Sequence, residues 1–355
     1  MKKLLAVLLA ALMLFSLAAC GGNGDTDTTD NADVTNDVVT DAPEATDAPE
    51  VTDAPVAEAK LIKNIVTGTG GNTGTYYAFT SAVGSILGTD DYKFTVQSTG
   101  GSQANIEMIE DGEAQFAIVQ NDVMNYAYEG TNGFTAPVTC FSAIGCVYAE
   151  VCQVIATKSS GIKTIADLKG KNVAVGDAGS GVYYNATQIL AAAGLDIDKD
   201  INKTAASFGD SATLLKDGAI DAAFITAGTP TPAVTDLSTS TDIVAVDLGE
   251  DVIANLMEAY PFYAKHEYSS ADYAFISEDE KSTTVAIMAT FIVTNDMSEE
   301  QAYEITKNLW ESQEEIAVAH AKGKEMNKDT AAAAIGNVPL HPGAAKYYKE
   351  IGVIA

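Results

Sequence analysis

Residues 65–77 read IVTGTGGNTGTYY, a short apolar run followed by a glycine-rich turn and the start of a predicted helix. The same order recurs at residues 98–102, STGGS, and at residues 173–184, VAVGDAGSGVYY. Each turn lies where a helix begins with free N–H groups and the positive end of its dipole. Such a junction binds carboxylate or phosphate without a basic side chain. Three of them in one chain predict a shared ligand cleft.

Two nucleotide-binding motifs do not fit the first of these turns. The phosphate-loop pattern requires Lys where Thr75 stands, and the dinucleotide fingerprint counted from Gly68 requires Gly where Thr73 stands. The turns are therefore interpreted as sites for a small anionic group of another kind.

Around these turns, short β-type runs alternate with helical stretches, which predicts an α/β fold. Two strand runs, residues 140–157 and 284–294, are far longer than an ordinary strand of about 5–6 residues. We expect them to cross between two lobes, giving lobe one as residues 60–150 plus 285–355 and lobe two as 151–284. The predicted strands are 62–67, 94–98, 116–119, 144–157, 172–175, 222–225 and 285–294, and the predicted helices are 78–87, 102–111, 182–193, 211–216, 298–319 and 344–351.

The first 59 residues differ from the rest. Residues 1–19 have a basic start, an apolar run and a Leu-Ala-Ala-Cys ending that resembles the bacterial lipobox, so Cys20 is the expected lipidated N-terminus. Residues 20–59 are rich in Asp, Thr, Ala and Pro, with the near-repeats TDAPEA, TDAPEV and TDAPV. This composition predicts a disordered acidic tether. We expect an extracytoplasmic protein anchored to the cell membrane by lipid.

Charge excludes several functions. The 355-residue chain carries a net charge of -29, and all 20 of its basic residues are Lys. A nucleic-acid binder needs a basic surface that this chain lacks. Without Arg, an anion must be held by Lys or by oriented backbone dipoles, because bidentate guanidinium recognition is absent. Only three His are present, so we expect no metal site and no cofactor.

The motifs taken together resemble a known family. IVTGTGGNTGTYYAFTSAVGSIL and STGGSQANIEMIEDGEAQFAIVQND are followed by VYAEVCQVIA, IKTIADLKGKNVAVGDAGSGV, LLKDGAIDAAFITAGTPTPAV, YPFY and LHPGAAKYYKE. This order resembles the TAXI-type solute receptors of TRAP transporters over nearly the whole body of the chain. The resemblance implies a two-lobed type II periplasmic-binding-protein fold with two crossing hinge strands. It also implies a monomeric receptor that delivers glutamate, glutamine or another small carboxylate to the membrane subunit of a TRAP permease.

Matching motif positions then give the candidate ligand-binding residues, with none of them catalytic. They are Thr69, Gly70, Gly71, Gly74, Tyr76, Ser98, Thr99, Gly101, Ser102, Gln120, Asp122, Tyr148, Glu150, Gly179, Ser180, Gly181, Gly228, Thr229 and Pro230.

Chemistry suggests roles for several of them. Backbone N–H groups at 70–71 and 179–181, with the Ser180 hydroxyl, could hold a carboxylate. A ligand ammonium would explain a buried Glu150 or Asp122, because a buried acid needs a partner. The structural alternatives stay open: Asp122 as a helix N-cap and Glu150 as a bond across the hinge.

The three cysteines of the body are an odd number for an exported protein. Cys140, Cys146 and Cys152 are spaced by six residues, which places them on one face of a regular strand, some 20 Å between neighbours. They cannot then bridge one another. We expect free thiols that pack as small apolar groups.

Three other functions compete with the TRAP receptor. An esterase is disfavoured, because Gly100-Gly101-Ser102-Gln103-Ala104 lacks the final Gly of a GxSxG elbow and His341 is interpreted as a helix cap. A surface protein-interaction module would expose an apolar face rather than enclose a cleft. A binding lipoprotein of an ABC importer differs only in its permease, which a single chain does not specify.

Overall fold

The computed structural model describes residues 61–277 and 282–355. The predicted signal peptide, Cys20 and the acidic tether lie outside the described residues. Among the described residues, no helix combines the length and the apolar character that a membrane crossing needs.

The strands form one mixed sheet in the order β2-β1-β3-β10-β4-β7-β5-β6, with β8 paired to β4 and β9 paired to β10. Pairing is parallel between β1 and β2, β1 and β3, β5 and β6, and β5 and β7, and antiparallel wherever β4 or β10 takes part. The strands are β1 Asn64–Gly68, β2 Lys93–Gln97, β3 Phe116–Gln120, β4 Phe141–Thr157, β5 Asn172–Ala174, β6 Asn202–Thr204, β7 Ala222–Ala227, β8 Ile243–Ala245, β9 Ala264–Glu267 and β10 Thr283–Thr294.

Helices connect and cover these strands. They are α1 Thr75–Leu87, α2 Ser102–Glu110, α3 Asn121–Glu129, α4 Gly181–Ala192, α5 Phe208–Lys216, α6 Pro232–Ser238, α7 Glu250–Ala259, α8 Glu299–Glu311, α9 Gln313–Ala319 and α10 Pro342–Glu350. The single helix predicted over 298–319 is two helices, which meet at Ser312.

The two long strands run antiparallel through the middle of the sheet. Residues 141–151 of β4 pair with β10, and residues 151–157 pair with β7 and β8. Strand β10 pairs with β3 at one end and with β9 at the other. Both strands therefore belong to each half of the sheet, as a crossing strand must.

Buried apolar side chains fall into four clusters. The buried members of two clusters come from residues 65–148 and 289–348, and those of the other two come from residues 151–287. The apolar core is thus divided at the middle of β4 and within β10. The grouping of the apolar clusters agrees with the predicted lobe boundaries, which stay a prediction.

The three cysteines of the described residues are free thiols. Cys146 and Cys152 are buried, and Cys140 is half-buried just before β4. The pairing of β4 with β10 shifts register twice, so β4 is not the regular strand that the one-face expectation assumed. Cys146 packs in the cluster with Ile106 and Phe141, whereas Cys152 packs with Val154 and Phe224.

The cap predicted at His341 is confirmed. His341 is the N-cap of α10, and its Nδ1 accepts a hydrogen bond from the Gly343 N–H at 3.2 Å. Its Nε2 lies 3.1 Å from the Met297 carbonyl oxygen, so the ring joins α10 to the loop between β10 and α8. Burial lowers the pKa of His341, which favours the neutral ring that a cap acceptor requires.

Candidate functional site

A cavity lies where the three glycine-rich turns meet. It encloses about 540 Å³ of space free of protein atoms, open solvent at its mouth included. Both halves of the sheet contribute to its wall. The lining residues are Gly70, Gly71, Gly74, Thr75, Tyr76, Gly100, Gly101, Ser102, Gln120, Glu150, Asp177, Ser180, Gly181, Val182, Ser207, Phe208, Thr226 and Ala227.

Five helices begin at this cavity. Helices α1, α2, α3 and α4 have Gly74, Gly101, Gln120 and Ser180 as their N-caps, and none of these four helices has a side-chain cap. Only α5 is capped by a side chain, that of Ser207. Uncapped first turns leave N–H groups and positive dipole ends directed toward the cavity. An anionic group can therefore be held here by backbone alone, as the sequence predicted.

Two polar side-chain atoms of the lining are buried without a hydrogen-bond partner. They are Gln120 Oε1 and Ser180 Oγ. Burying such an atom unpaired costs about 1–3 kcal/mol, so native proteins rarely leave one without a purpose. Gln120 lies at the end of β3 and Ser180 at the start of α4, on the two sides of the cavity. Both atoms are candidates for contact with a solute, which stays a prediction.

Glu150 brings a buried carboxyl group to the cavity from the middle of β4. It is 1 % exposed, and the Tyr76 hydroxyl donates a hydrogen bond to its Oε2 at 2.5 Å. Burial raises the pKa of Glu150 to about 8, although the Tyr76 bond and the charge of Lys322 act in the opposite direction. A cationic group in the cavity would favour the ionised form of this acid.

Asp122 lies beside the cavity rather than on its wall. Its carboxylate accepts hydrogen bonds from the Val123 N–H at 2.8 Å and from Asn185 Nδ2 at 3.0 Å. Burial raises its pKa to about 7. The structural alternative of an N-cap is wrong, because Gln120 is the N-cap of α3 and Asp122 lies in its first turn.

The walls of the cavity touch one another at its edge. The Ala104 N–H donates to the Gly179 carbonyl at 3.1 Å, and a methyl group added to Gly100 would lie 2.2 Å from the Ala178 carbonyl oxygen. A methyl group on Gly181 would lie 1.6 Å from Gln120 Oε1. Glycine is required at 100 because the Ala178 backbone approaches so closely, whereas Gly181 lies against the end of the Gln120 side chain. The cleft is therefore in a closed arrangement.

Comparison with known proteins identifies the family. The model of the NMT1-like family matches residues 67–352, which is most of the chain. The chain belongs to the NMT1-like family.

Several solved structures are similar to this NMT1-like protein. One described as a periplasmic transporter has a TM-score of 0.50 and 14% identity, covering 82% of this chain and 93% of that chain. The aliphatic sulphonate binding protein SsuA of Escherichia coli has a TM-score of 0.44 and 16% identity, covering 81% and 83%. The alkanesulfonate-binding protein SsuA of Xanthomonas axonopodis pv. citri, bound to MOPS, has a TM-score of 0.49 and 13% identity, covering 83% and 86%. The NMT1-like chain has the two-lobed type II periplasmic-binding-protein fold, with β4 and β10 as its crossing strands.

Ten of the residues predicted for the site line the cavity of the NMT1-like protein, and the other nine lie outside the lining. Several of the nine hold the turns in shape. Thr69 Oγ1 donates to the Gln97 carbonyl at 2.7 Å, Ser98 Oγ donates to the Gly70 carbonyl at 2.9 Å, and Thr99 Oγ1 donates to Asn105 Oδ1 at 2.6 Å. These bonds give the three residues a supporting role, and their contact with solute stays a prediction.

The rest of the nine lie behind the wall. The Gly228 carbonyl accepts from Thr75 Oγ1 at 3.0 Å, and Thr229 Oγ1 donates to Asp272 Oδ1 at 2.6 Å. Pro230 follows Thr229 through a cis peptide bond. Tyr148 is fully buried with an unpartnered hydroxyl, and Gly179 carries the carbonyl that Ala104 contacts. Asp122 completes the nine, and binding roles for all of them stay predictions.

Sequence reasoning missed several wall residues. Thr75, Gly100, Asp177 and Val182 lie inside the quoted turns, so the turns themselves pointed to them. Ser207 carries a capping signal, with Asp210 three residues later. Phe208, Thr226 and Ala227 reach the cavity only through packing of β7 and α5, and no local signal marks them.

Within residues 61–277 and 282–355, no group of three or more His, Cys, Asp or Glu side chains is arranged to hold a metal ion.

Proposed function

We propose that this protein is an extracytoplasmic solute receptor, which captures a small carboxylate in the cleft between residues 60–150 plus 285–355 and residues 151–284. The observation that carries the proposal is the pair of buried, unpartnered atoms Gln120 Oε1 and Ser180 Oγ on the two sides of one cavity. A solute that pairs both atoms recovers the cost of leaving them unpaired and holds the cleft closed.

The carboxylate would bind at the start of α4. Ser180 offers its hydroxyl, and the first-turn N–H groups from Gly181 onward have no side-chain cap. The described wall contains no Lys, and the chain contains no Arg. Backbone dipoles therefore provide the attraction for the anion, and they suit one carboxylate better than several.

An amino acid fits the opposite side of the cavity. Glu150 and Asp177 are the ionisable acids of the wall, and no wall residue is cationic at neutral pH. A solute ammonium near Glu150 would pair with an acid that is otherwise costly to ionise. Glutamate and glutamine, which the TAXI resemblance implies, carry both the carboxylate and the ammonium. A dicarboxylate lacks the group that Glu150 would bind.

Binding would act through closure of the lobes about β4 and β10. A solute bound with micromolar affinity contributes about 8 kcal/mol, which exceeds the few kcal/mol that separate open and closed forms of such proteins. The permease would then recognise the closed form. We propose a TRAP permease as the partner on the basis of the TAXI resemblance, and lipid anchoring at Cys20 would keep the receptor at the membrane.

The ABC-importer alternative makes the same prediction for the cleft. The two hypotheses differ in the membrane subunit that works with the receptor. Genes beside this one that encode a TRAP permease or an ABC permease would distinguish them.

A thermal-shift screen tests the solute class. The protein is unfolded and refolded to remove co-purified solute, then heated with single amino acids, dicarboxylates and tricarboxylates. We expect a rise in melting temperature with glutamate, glutamine or a related amino acid, because a ligand of the folded state stabilises it. Citrate serves as the control that should give no rise. The absence of a rise with every small carboxylate would overturn the proposed solute class and favour the interaction-module alternative.

A further inference from the structure

Asn185 is the most completely bonded polar side chain beside the cavity. It is fully buried on α4. Its Oδ1 accepts from Gln120 Nε2 at 3.0 Å and from Thr226 Oγ1 at 2.9 Å. Its Nδ2 donates to Asp122 Oδ2 at 3.0 Å and to the Tyr263 hydroxyl at 2.8 Å. These four bonds use the full capacity of a carboxamide, so the orientation of Asn185 is fixed.

That orientation determines what Gln120 can offer to a solute. Asn185 Oδ1 accepts a hydrogen bond from Gln120 Nε2, so the NH₂ group of Gln120 is directed toward Asn185 and away from the cavity. The other atom of the carboxamide, Gln120 Oε1, is left without a partner. The Asp122 carboxylate prevents Asn185 from turning over, because a carboxylate only accepts hydrogen bonds and Asn185 Nδ2 must therefore face it. A carboxamide, which could present either a donor or an acceptor, is thus held as an acceptor.

We propose that Asn185 is a positioning residue that sets the hydrogen-bond polarity of Gln120, so that the cavity selects a solute with a hydrogen-bond donor at this point. The donor is an ammonium, amide or hydroxyl group. The inference rests on the proposed function, because it concerns the same cavity. It goes beyond that function in assigning selectivity to a residue that does not line the wall.

A purely structural role is the competing explanation, since Asn185 also joins residues of both lobes. Gln188, one turn further along α4, gives a matched control. Its Nε2 donates to the Tyr126 hydroxyl at 3.0 Å and its Oε1 accepts from the Tyr263 hydroxyl at 2.6 Å. Gln188 therefore bonds to the same neighbourhood as Asn185 but has no bond to Gln120.

The first test needs no solute. Nuclear magnetic resonance of the full chain, labelled with ¹⁵N in glutamine side chains, reports hydrogen exchange of the Gln120 amide, assigned through the Gln120→Leu variant. We expect slow exchange in the wild type and in Gln188→Leu, and exchange at least about tenfold faster in Asn185→Leu, because a lost hydrogen bond exposes the amide. Unchanged exchange in Asn185→Leu would overturn the proposal. Asn185→Ser, which is too short to reach Gln120, replaces the Leu variant should that one fail to fold.

The second test measures selectivity with two pairs of probes that differ by one donor. L-glutamate and 2-oxoglutarate differ by an ammonium group, and L-glutamine and L-glutamate differ by an amide donor. For at least one pair, we expect the donor-bearing probe to bind the wild type about tenfold to a hundredfold more tightly. This ratio should fall at least about fivefold in Asn185→Leu and stay unchanged in Gln188→Leu. Asn185→Asp, which retains the acceptor for Gln120 Nε2, should keep the ratio even if its stability falls.

A double-variant comparison separates positioning from structure. If Asn185 acts through Gln120, then adding Asn185→Leu to a protein that already carries Gln120→Leu should leave the ratio of affinities within each probe pair unchanged. An equal loss of affinity for all four probes, or the same change of ratio in both backgrounds, would contradict the proposal. If no probe binds the wild type, the proposed solute class fails, and the exchange measurement still decides the role of Asn185.

Discussion

Gly181→Ala tests closure of the cleft with the smallest possible change. Gly181 is the first residue of α4, and its φ is outside the left-handed region, so its backbone accepts alanine without strain. The added methyl carbon would lie 1.6 Å from Gln120 Oε1 and 2.4 Å from Gln120 Cδ. Gln120 is itself 2 % exposed and bonded to Asn185. The methyl group can therefore be accommodated only if Gln120 moves or the cleft opens.

The expected cost follows from the crowding. Overpacking a buried contact costs about 1–3 kcal/mol, which corresponds to solute binding that is about 5-fold to 150-fold weaker. The open form has no such contact, and alanine is favoured over glycine in a helix. We therefore expect the melting temperature of the solute-free protein to stay unchanged or to fall slightly. The loss of folding free energy should be smaller than the loss of binding free energy.

Gly209→Ala is the matched control. Gly209 lies in the first turn of α5, and its added methyl carbon would meet Thr73 Oγ1 at 3.4 Å, an ordinary contact. Isothermal titration calorimetry of the wild type and both variants, with the solute found by the thermal-shift screen, measures the difference. Equal affinity of Gly181→Ala and Gly209→Ala would refute the view that the lobes close through the Gly181–Gln120 contact.

Three further predictions concern single side chains. Ser180→Ala should weaken solute binding about 3-fold to 100-fold by calorimetry while leaving the solute-free melting temperature equal or higher, because an unpaired buried hydroxyl is removed. Ser211→Ala removes another unpaired buried hydroxyl, one that does not line the cavity, and should leave affinity unchanged. Burial raises the pKa of Glu150 from 4.5 to about 8. Between these two pH values the folded state binds more protons than the unfolded state, so the free energy of unfolding falls as the pH rises from the lower value to the higher. Melting temperatures from pH 5 to pH 8 should fall less steeply for Glu150→Gln than for the wild type, and equal slopes would contradict the assigned pKa. His341→Ala should lower the free energy of unfolding by about 0.5–2 kcal/mol in urea, because α10 loses its cap; an unchanged urea midpoint would exclude that role.

The glycine-rich turns could be predicted because their information is local. Apolar residues before Gly68, glycines through Gly74 and a helical pattern from Thr75 onward all lie within a dozen positions. The two long strands were predictable for a similar reason, since a mostly apolar, β-type run of such length fits few elements other than a strand shared by two lobes.

Elements that depend on distant partners were missed. Helix α3 has only nine residues and buries Asn121, Asp122 and Asn125, polar residues that are ordinarily exposed or in turns. Strands β6, β8 and β9 have only three or four residues, and their pairing rather than their sequence makes them strands. Local pattern carries no information on such pairing.

In the candidate site, too, residues with a local sequence signal were predicted and residues placed by distant packing were missed. The turns at Gly70 and Ser180 were predicted, but Phe208 and Thr226 reach the wall only through packing. The bonds of Asn185 join residues from four separate parts of the chain. No spacing rule brings these residues together, because the sheet order alone places β3 and β7 on opposite sides of the crossing strands.

A crystal structure with the solute that gives the largest thermal shift would show directly which protein atoms the solute contacts. We expect solute in the cavity, with a carboxylate at the start of α4 bonded to Ser180 Oγ and a donor group bonded to Gln120 Oε1. Solute bound elsewhere on the protein, or solute in the cavity with both of these atoms still unpaired, would contradict this expectation.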